Sequence, residues 1–224
     1  MKALIFDSGT LINLSMNGLL DILKSLKEGW NGEFIITEQV KQEVVDRPMG
    51  VLRFELGAIR IQNLIDESVL KLPGFFDVKN DVLNEKTREL MDMANHFVQA
   101  RDKWINIVSD AEMSCLALSE ELTKRGVDNM IALDERTTRI LCENPASLER
   151  LMSEKLHQNV KMVAQDFKIF SKYRFIRSTE MVYVAFKKGL ISLNGKKALE
   201  ALLYATKFKG SSVSYEEIDA IKKS

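Results

Sequence analysis

Four carboxylates in this chain of 224 residues stand where acids either do chemistry or cap helices. Asp7 breaks the apolar run of "LIFDSGTLINL", directly before Gly9-Thr10. Glu43 lies in "TEQVKQEVVDRP", Asp110 in "VSDAEMSCLALSEEL", and Asp134 closes "NMIALD". A phosphatase loop of the Asp-x-Asp-Gly-Thr kind would put its nucleophile on Phe6 and its second acid on Ser8, and phenylalanine cannot attack phosphorus. Asp7 therefore needs another role. Carboxylates gathered within about 4 Å repel by several kcal/mol per pair at an effective dielectric near 20. A hard divalent cation among them removes that cost, and all-oxygen donors with room for water suit Mg²⁺ or Mn²⁺. Such an ion generates hydroxide and stabilises charge developing on a phosphodiester.

Each acid also has a plainer reading. Glu43 borders the apolar stripe of its helix, where it either reaches solvent or needs compensation. Ser109 and Glu112 form a Ser-x-x-Glu capping box, with Asp110 favoured by the helix dipole at the first helical position. Asp134 is a good N-cap by type. The set carries more weight than its members, because two acids end strand-like runs and two lie in early turns of helices.

The elements that must position them alternate. "KALIFD" is predicted as a buried strand, followed by one helix over "SGTLINLSMNGLLDILKSL". "EFIIT" is a second strand, and Thr37 caps a helix that Pro48 ends. Residues 51–66 are predicted helical, "VLKLPG" a short strand and turn, and 80–104 one long polar helix. A helix over "SDAEMSCLALSEELTKRG" stops at Gly126, "NMIALD" is a strand, and "ERTTRILCEN" opens another helix. Residues 147–172 are predicted mostly helical, "RFIRS" a strand, and three helices close the chain. The pattern predicts a single α/β domain, three-layer α/β/α, with a mainly parallel central sheet. Sites in such sheets form beyond the carboxyl ends of the strands, which gathers Asp7 and Asp134 at one edge.

Composition narrows the class. Apolar residues make up 46% and charged residues 29%, a globular balance with no apolar run of membrane length. No secretory leader is expected, because Asp7 interrupts the short N-terminal apolar run. Cys115 and Cys142 form no metal-like pair and are expected as free thiols in the cytoplasm. His96 and His157 lack ligand spacing. No nucleophilic triad, P-loop or dinucleotide loop is present. The zero net charge divides unevenly. Residues 151–224 carry 14 Lys and Arg against 7 Asp and Glu, and residues 1–150 carry 18 against 25. This division fits an acidic site beside a surface that attracts phosphate, and equally fits chance clustering on solvated faces. In "QDFKIFSKYRFIR", Phe167, Phe170, Tyr173 and Phe175 interleave with Lys168, Lys172, Arg174 and Arg177. That is either a single-strand nucleic-acid platform or an amphipathic element with its aromatics in the core. Arg136 and Arg139, beside Asp134, are better placed for a phosphate.

In order and setting, "LIFDSGTLINL", "ITEQVKQEVV", "VSDAEMSCLALSEEL" and "MIALDERTTRIL" resemble the four motif regions of PIN-domain nucleases. "EMVYVAFKKGLISLNGKKALEALL" is similar to the C-terminal part of prokaryotic, VapC-like members. The resemblance covers residues 1–48 and 107–141, and 178–205 more loosely. Residues of about 50–105 are a helical expansion, and about 145–224 a basic helical C-terminal part. The resemblance implies a compact α/β/α fold and a Mg²⁺- or Mn²⁺-dependent endoribonuclease that hydrolyses RNA. Asp7, Glu43 and Asp110 match its three principal acids and Asp134 the fourth, with metal expected on Asp7, Asp110 and Asp134. Glu135 is a neighbour able to substitute for Asp134. Thr10 matches a small polar position that supports a ligand carboxylate, and Glu112 is assigned to capping. The resemblance also admits a catalytically silent module that binds RNA or protein, and a toxin whose partner is a small antitoxin-type protein. A homodimer is admitted too, and no membrane.

Overall fold

The computed structural model describes residues 1–163 and 167–223. In chain order its elements are β1 (Lys2–Phe6), α1 (Ser8–Met16), α2 (Ile22–Glu28), β2 (Glu33–Ile35), α3 (Glu38–Lys41), α4 (Glu55–Asp66), β3 (Leu70–Lys71) and α5 (Asn80–Asn95). Then come β4 (Val98–Ala100), β5 (Lys103–Trp104), α6 (Asp110–Lys124), β6 (Asp128–Ala132), α7 (Arg136–Glu143), α8 (Leu148–Leu156), β7 (Lys161–Met162), β8 (Phe175–Ile176), α9 (Ser178–Lys187), α10 (Lys196–Phe208) and α11 (Tyr215–Lys223). A π-helical turn, Gln42–Asp46, continues directly from α3.

Five parallel strands form the central sheet in the order β3-β2-β1-β6-β8. Both faces are covered, so the fold is a three-layer α/β/α arrangement. The sheet is buried on both sides, and its inner strands accordingly read as apolar runs rather than alternations. The register sorts side chains between the layers. Ala3, Ile5 and Ile131 share one face with Asn129, and α6 covers it. There Cys115 Sγ donates to Phe6 O at 3.6 Å and Ser119 Oγ to Asn129 Oδ1 at 2.6 Å. Lys2, Leu4 and Phe34 share the other face with Met130 and Ile176, beneath α2 and α9.

Three sequence expectations change. The predicted first helix breaks into α1 and α2, because Gly18 adopts a left-handed φ of 70° just after the C-cap Asn17. The predicted helix over 80–104 stops at Asn95, and β4 and β5 form a hairpin. Arg101 and Asp102, the two residues between Ala100 and Lys103, both have positive φ (50° and 61°), as a tight hairpin turn requires. With β7 they make a second, antiparallel sheet in the order β5-β4-β7. Of the stretch 147–172, α8 is helical, β7 is extended, Lys168–Phe170 is a 3-10 turn, and 164–166 lie outside the described residues. Among the described residues no helix is long and apolar enough to cross a membrane.

Candidate functional site

The apolar strand β1 delivers Asp7 to the carboxyl edge of the sheet, and Asp7 N donates to Ala132 O at 3.0 Å. Asp7 then caps α1, with Oδ2 accepting from Gly9 N at 3.0 Å. A Cβ on Gly9 would lie 3.2 Å from that same oxygen, so glycine keeps the carboxylate's flank open. Asp7 Oδ1 is buried without a hydrogen-bond partner among the described residues, and so is Thr10 Oγ1, one turn along. A buried polar atom left in that condition normally costs a desolvation penalty of about 1–3 kcal/mol. Burial, then the charge of Glu112 and more weakly that of Glu43, push the Asp7 carboxyl up to about 8.

Glu112 is the charged group that acts most strongly on Asp7, and it arrives on α6. The capping box forms as expected: Glu112 N donates to Ser109 Oγ at 3.3 Å, and Ser109 N to Glu112 Oε2 at 3.1 Å. The same oxygen also accepts from Thr138 Oγ1 at 2.6 Å. Burial, and the charge of Glu135, raise its pKa above the ordinary glutamate value. Capping and proximity to Asp7 thus fall on one residue. The helical phase carries a signal for this. Glu112, Cys115 and Ser119 repeat at i, i+3, i+7, and the last two touch the sheet. Asp110 lies two residues away, about 200° round the helix. It is exposed, in a surface depression with Glu38, Gln39, Gln42, Asn84 and Arg88.

Glu43 comes from the π turn, where Arg47 N donates to Gln42 O at 2.9 Å, five residues back. Such turns recur at functional sites. Its carboxylate stands 4.0 Å from the Arg47 guanidinium. The arm carrying it is tied to α6 by Thr37 Oγ1 and Ser114 Oγ, 2.7 Å apart.

Asp134 does not join this group. Phe6 pairs with Ala132, so Asp7 stands level with Leu133, and Asp134 points to the opposite face. There it is buried, with Oδ1 accepting from Ser178 N at 2.8 Å and Oδ2 from Asn13 Nδ2 at 3.0 Å. Burial raises its pKa, and these hydrogen bonds act against that. Its neighbour Glu135 faces the Glu112 side instead. It accepts from Thr138 N at 2.8 Å and Thr137 Oγ1 at 2.9 Å, and pairs with Lys155 Nζ at 3.3 Å.

The basic candidates are mostly engaged within the chain. Arg139 makes a bidentate pair with Glu143, both distances 2.9 Å, whereas Arg136 is exposed at the first position of α7. Lys172 pairs with Glu120 at 2.9 Å, and Arg174 with Asp128. Arg177 is 7% exposed, held by Glu180 and, at 2.9 Å, by Glu217. Lys168 lies on the 3-10 turn. Phe170 and Tyr173 are buried, Phe167 packs edge-on against Phe97, and Phe175 is half-buried in β8. The aromatic-basic interleaving is thus core on one side and ion pairs on the other.

The converging acids are therefore Asp7, Glu112 and Glu43, with Glu135 behind Glu112. Their oxygens suit a hard cation by type, and Asp7 Oδ1 lacks a partner among the described residues. Among the described residues, however, no three Asp, Glu, His or Cys side chains close to metal-holding distances. The arrangement defines an α/β/α protein with a buried, proton-retaining carboxylate at its sheet edge. No family model matches the chain, nor does any curated protein or solved structure.

Proposed function

We propose that this chain is a divalent-cation-dependent ribonuclease of PIN type, with Asp7, Glu112 and Glu43 as its principal acids. The observation that carries the proposal is Asp7 itself: a buried carboxyl at a strand end, one oxygen without a partner among the described residues, in the field of two further carboxylates. Mg²⁺ or Mn²⁺, when bound, supplies a water of lowered pKa and offsets charge building on a phosphodiester. Asp7 would hold the ion through Oδ1, while Gly9 N keeps Oδ2 as the cap of α1. Ser109 and Thr138 hold Glu112 beside it. Glu43, 4.0 Å from Arg47, would be the third acid, and the set would have to draw closer than it stands to hold the ion. Arg136, exposed at the start of α7, meets a substrate phosphate.

The test is calorimetric titration with MnCl₂ alongside cleavage of a single-stranded RNA. Wild type binds Mn²⁺ and cuts, and Asp7→Asn does neither while staying folded. Undiminished cleavage by purified Asp7→Asn protein overturns the assignment. The open acid set favours a second reading, a PIN-like module that binds RNA or a protein partner without cutting. RNA binding with no Mn²⁺ uptake supports that reading instead.

A further inference from the structure

The opposite edge of the sheet holds a cavity that the acid site does not use. The register puts Leu4 and Met130 side by side on the face beneath α2 and α9, with Ile176 one strand further on. The two helices approach each other across this face without filling the patch. Leu26 and Trp30 wall one side, Val184 the other, and a cavity of about 350 Å³ remains between them. That size falls at the lower end of small-molecule pockets, roughly 300–1,000 Å³. Val184 is 38% exposed and Met130, Ile176, Leu26 and Trp30 are only half-buried, so the apolar lining is open to entry.

The mouth is cationic. Lys2 follows from the same period-two register that places Leu4 in the floor, and Lys188 follows α9 one turn beyond Val184. Both are exposed, and neither makes an ion pair among the described residues. The one acid at the rim, Asp128, is engaged by Arg174 and lies in the field of Lys2 and the α-amino group, which hold its carboxyl below the usual range. An apolar slot with two unpaired ammonium groups at its opening matches one ligand form: an apolar body carrying a single anionic head.

We infer that this cavity binds an amphipathic organic anion, such as a medium-chain or aromatic carboxylate. Its body lies on Leu4, Met130 and Trp30, and its carboxylate lies between Lys2 and Lys188. None of these residues belongs to the Asp7 site, so the inference stands or falls separately from the nuclease reading.

Trp30 is the natural reporter, and Trp104→Phe silences the other tryptophan in the chain. Full-length Trp104→Phe protein is titrated with decanoate, and with decyltrimethylammonium as the sign-reversed probe. Decanoate should change Trp30 emission saturably below about 1 mM, an affinity within reach of a ligand of this size, and the cation should not. Lys2→Gln with Lys188→Gln, both at exposed positions, should weaken decanoate about tenfold and leave thermal unfolding nearly unchanged. Val184→Phe, which fills the slot from its exposed side without adding a tryptophan, should abolish the response. The inference is overturned by no saturable response, by equal binding of anion and cation, or by decanoate binding that survives Val184→Phe. It is also overturned if sedimentation shows a second copy of the chain covering this face and Lys188→Glu disrupts that dimer.

Discussion

Asp7→Asn is the most informative single perturbation, because its effect on stability has a definite pH signature. The folded carboxyl titrates at about 8, against 3.8 for an ordinary aspartate. Its pKa is raised on folding, so its protonated form is the one the fold favours. Below pH 4 both folded and unfolded chains keep the proton, and there is no penalty. As pH rises toward 8 the unfolded chain releases the proton and the folded chain retains it. Stability then falls by about 1.4 kcal/mol per pH unit. By pH 7 this loss amounts to up to about 4 kcal/mol, and it levels off above pH 8. Asparagine carries no such penalty. Its side-chain oxygen can still accept from Gly9 N, so the cap on α1 survives. Urea unfolding in EDTA at pH 4.5, 6, 7 and 8 should therefore show wild type and variant diverging steadily, with the variant more stable. Saturating Mn²⁺ at pH 8, by selecting the ionised carboxylate, should recover stability in wild type and not in Asp7→Asn. Parallel pH curves for the two proteins would refute the reasoning, since Asp7 would then ionise as it does in water.

Glu112→Gln should reduce Mn²⁺ affinity and RNA cleavage far more than Asp110→Asn, measured by calorimetry and gel assay on proteins of matched stability; equal losses would return Asp110 to the site. Asp134→Ala strands Ser178 N, leaves Asn13 Nδ2 with Thr206 O alone, and should lower unfolding stability by about 1–3 kcal/mol, a loss that metal does not alter. Arg177→Met leaves Glu180 and Glu217 without their shared guanidinium, so hydrogen exchange in α11 should accelerate while that in β1 and β6 stays slow.

Much of this architecture is legible in the residues. Runs such as "LIF" and "MIA" are apolar at every position because both faces of their strands are covered, and "SDAE" announces the start of α6. What escaped depends on distances the chain order does not encode. Asp7 and Asp134 both end apolar strands, yet a one-residue offset in register sends them to opposite faces. The hairpin at 98–104 was hidden because its turn is Arg-Asp, without the glycine or asparagine that normally signals positive φ. Lys172 and Arg174 looked available because their partners, Glu120 and Asp128, lie about 50 positions away. Glu112 was recognisable as a cap, but its second relation, to Asp7, required the phase of α6 against the sheet.

The π turn that carries Glu43 has a consequence for how this region tolerates change. Relative to an α-helix it holds one surplus residue, and both Val44 and Val45 are buried within it. Losing one residue other than Glu43 from Gln42–Asp46 would restore ordinary helical winding and re-aim the side chains of the turn itself. The acid would survive in the sequence while its aim was lost. Homologous chains should therefore be compared here by length before identity: a conserved glutamate in a shortened turn is not the same device.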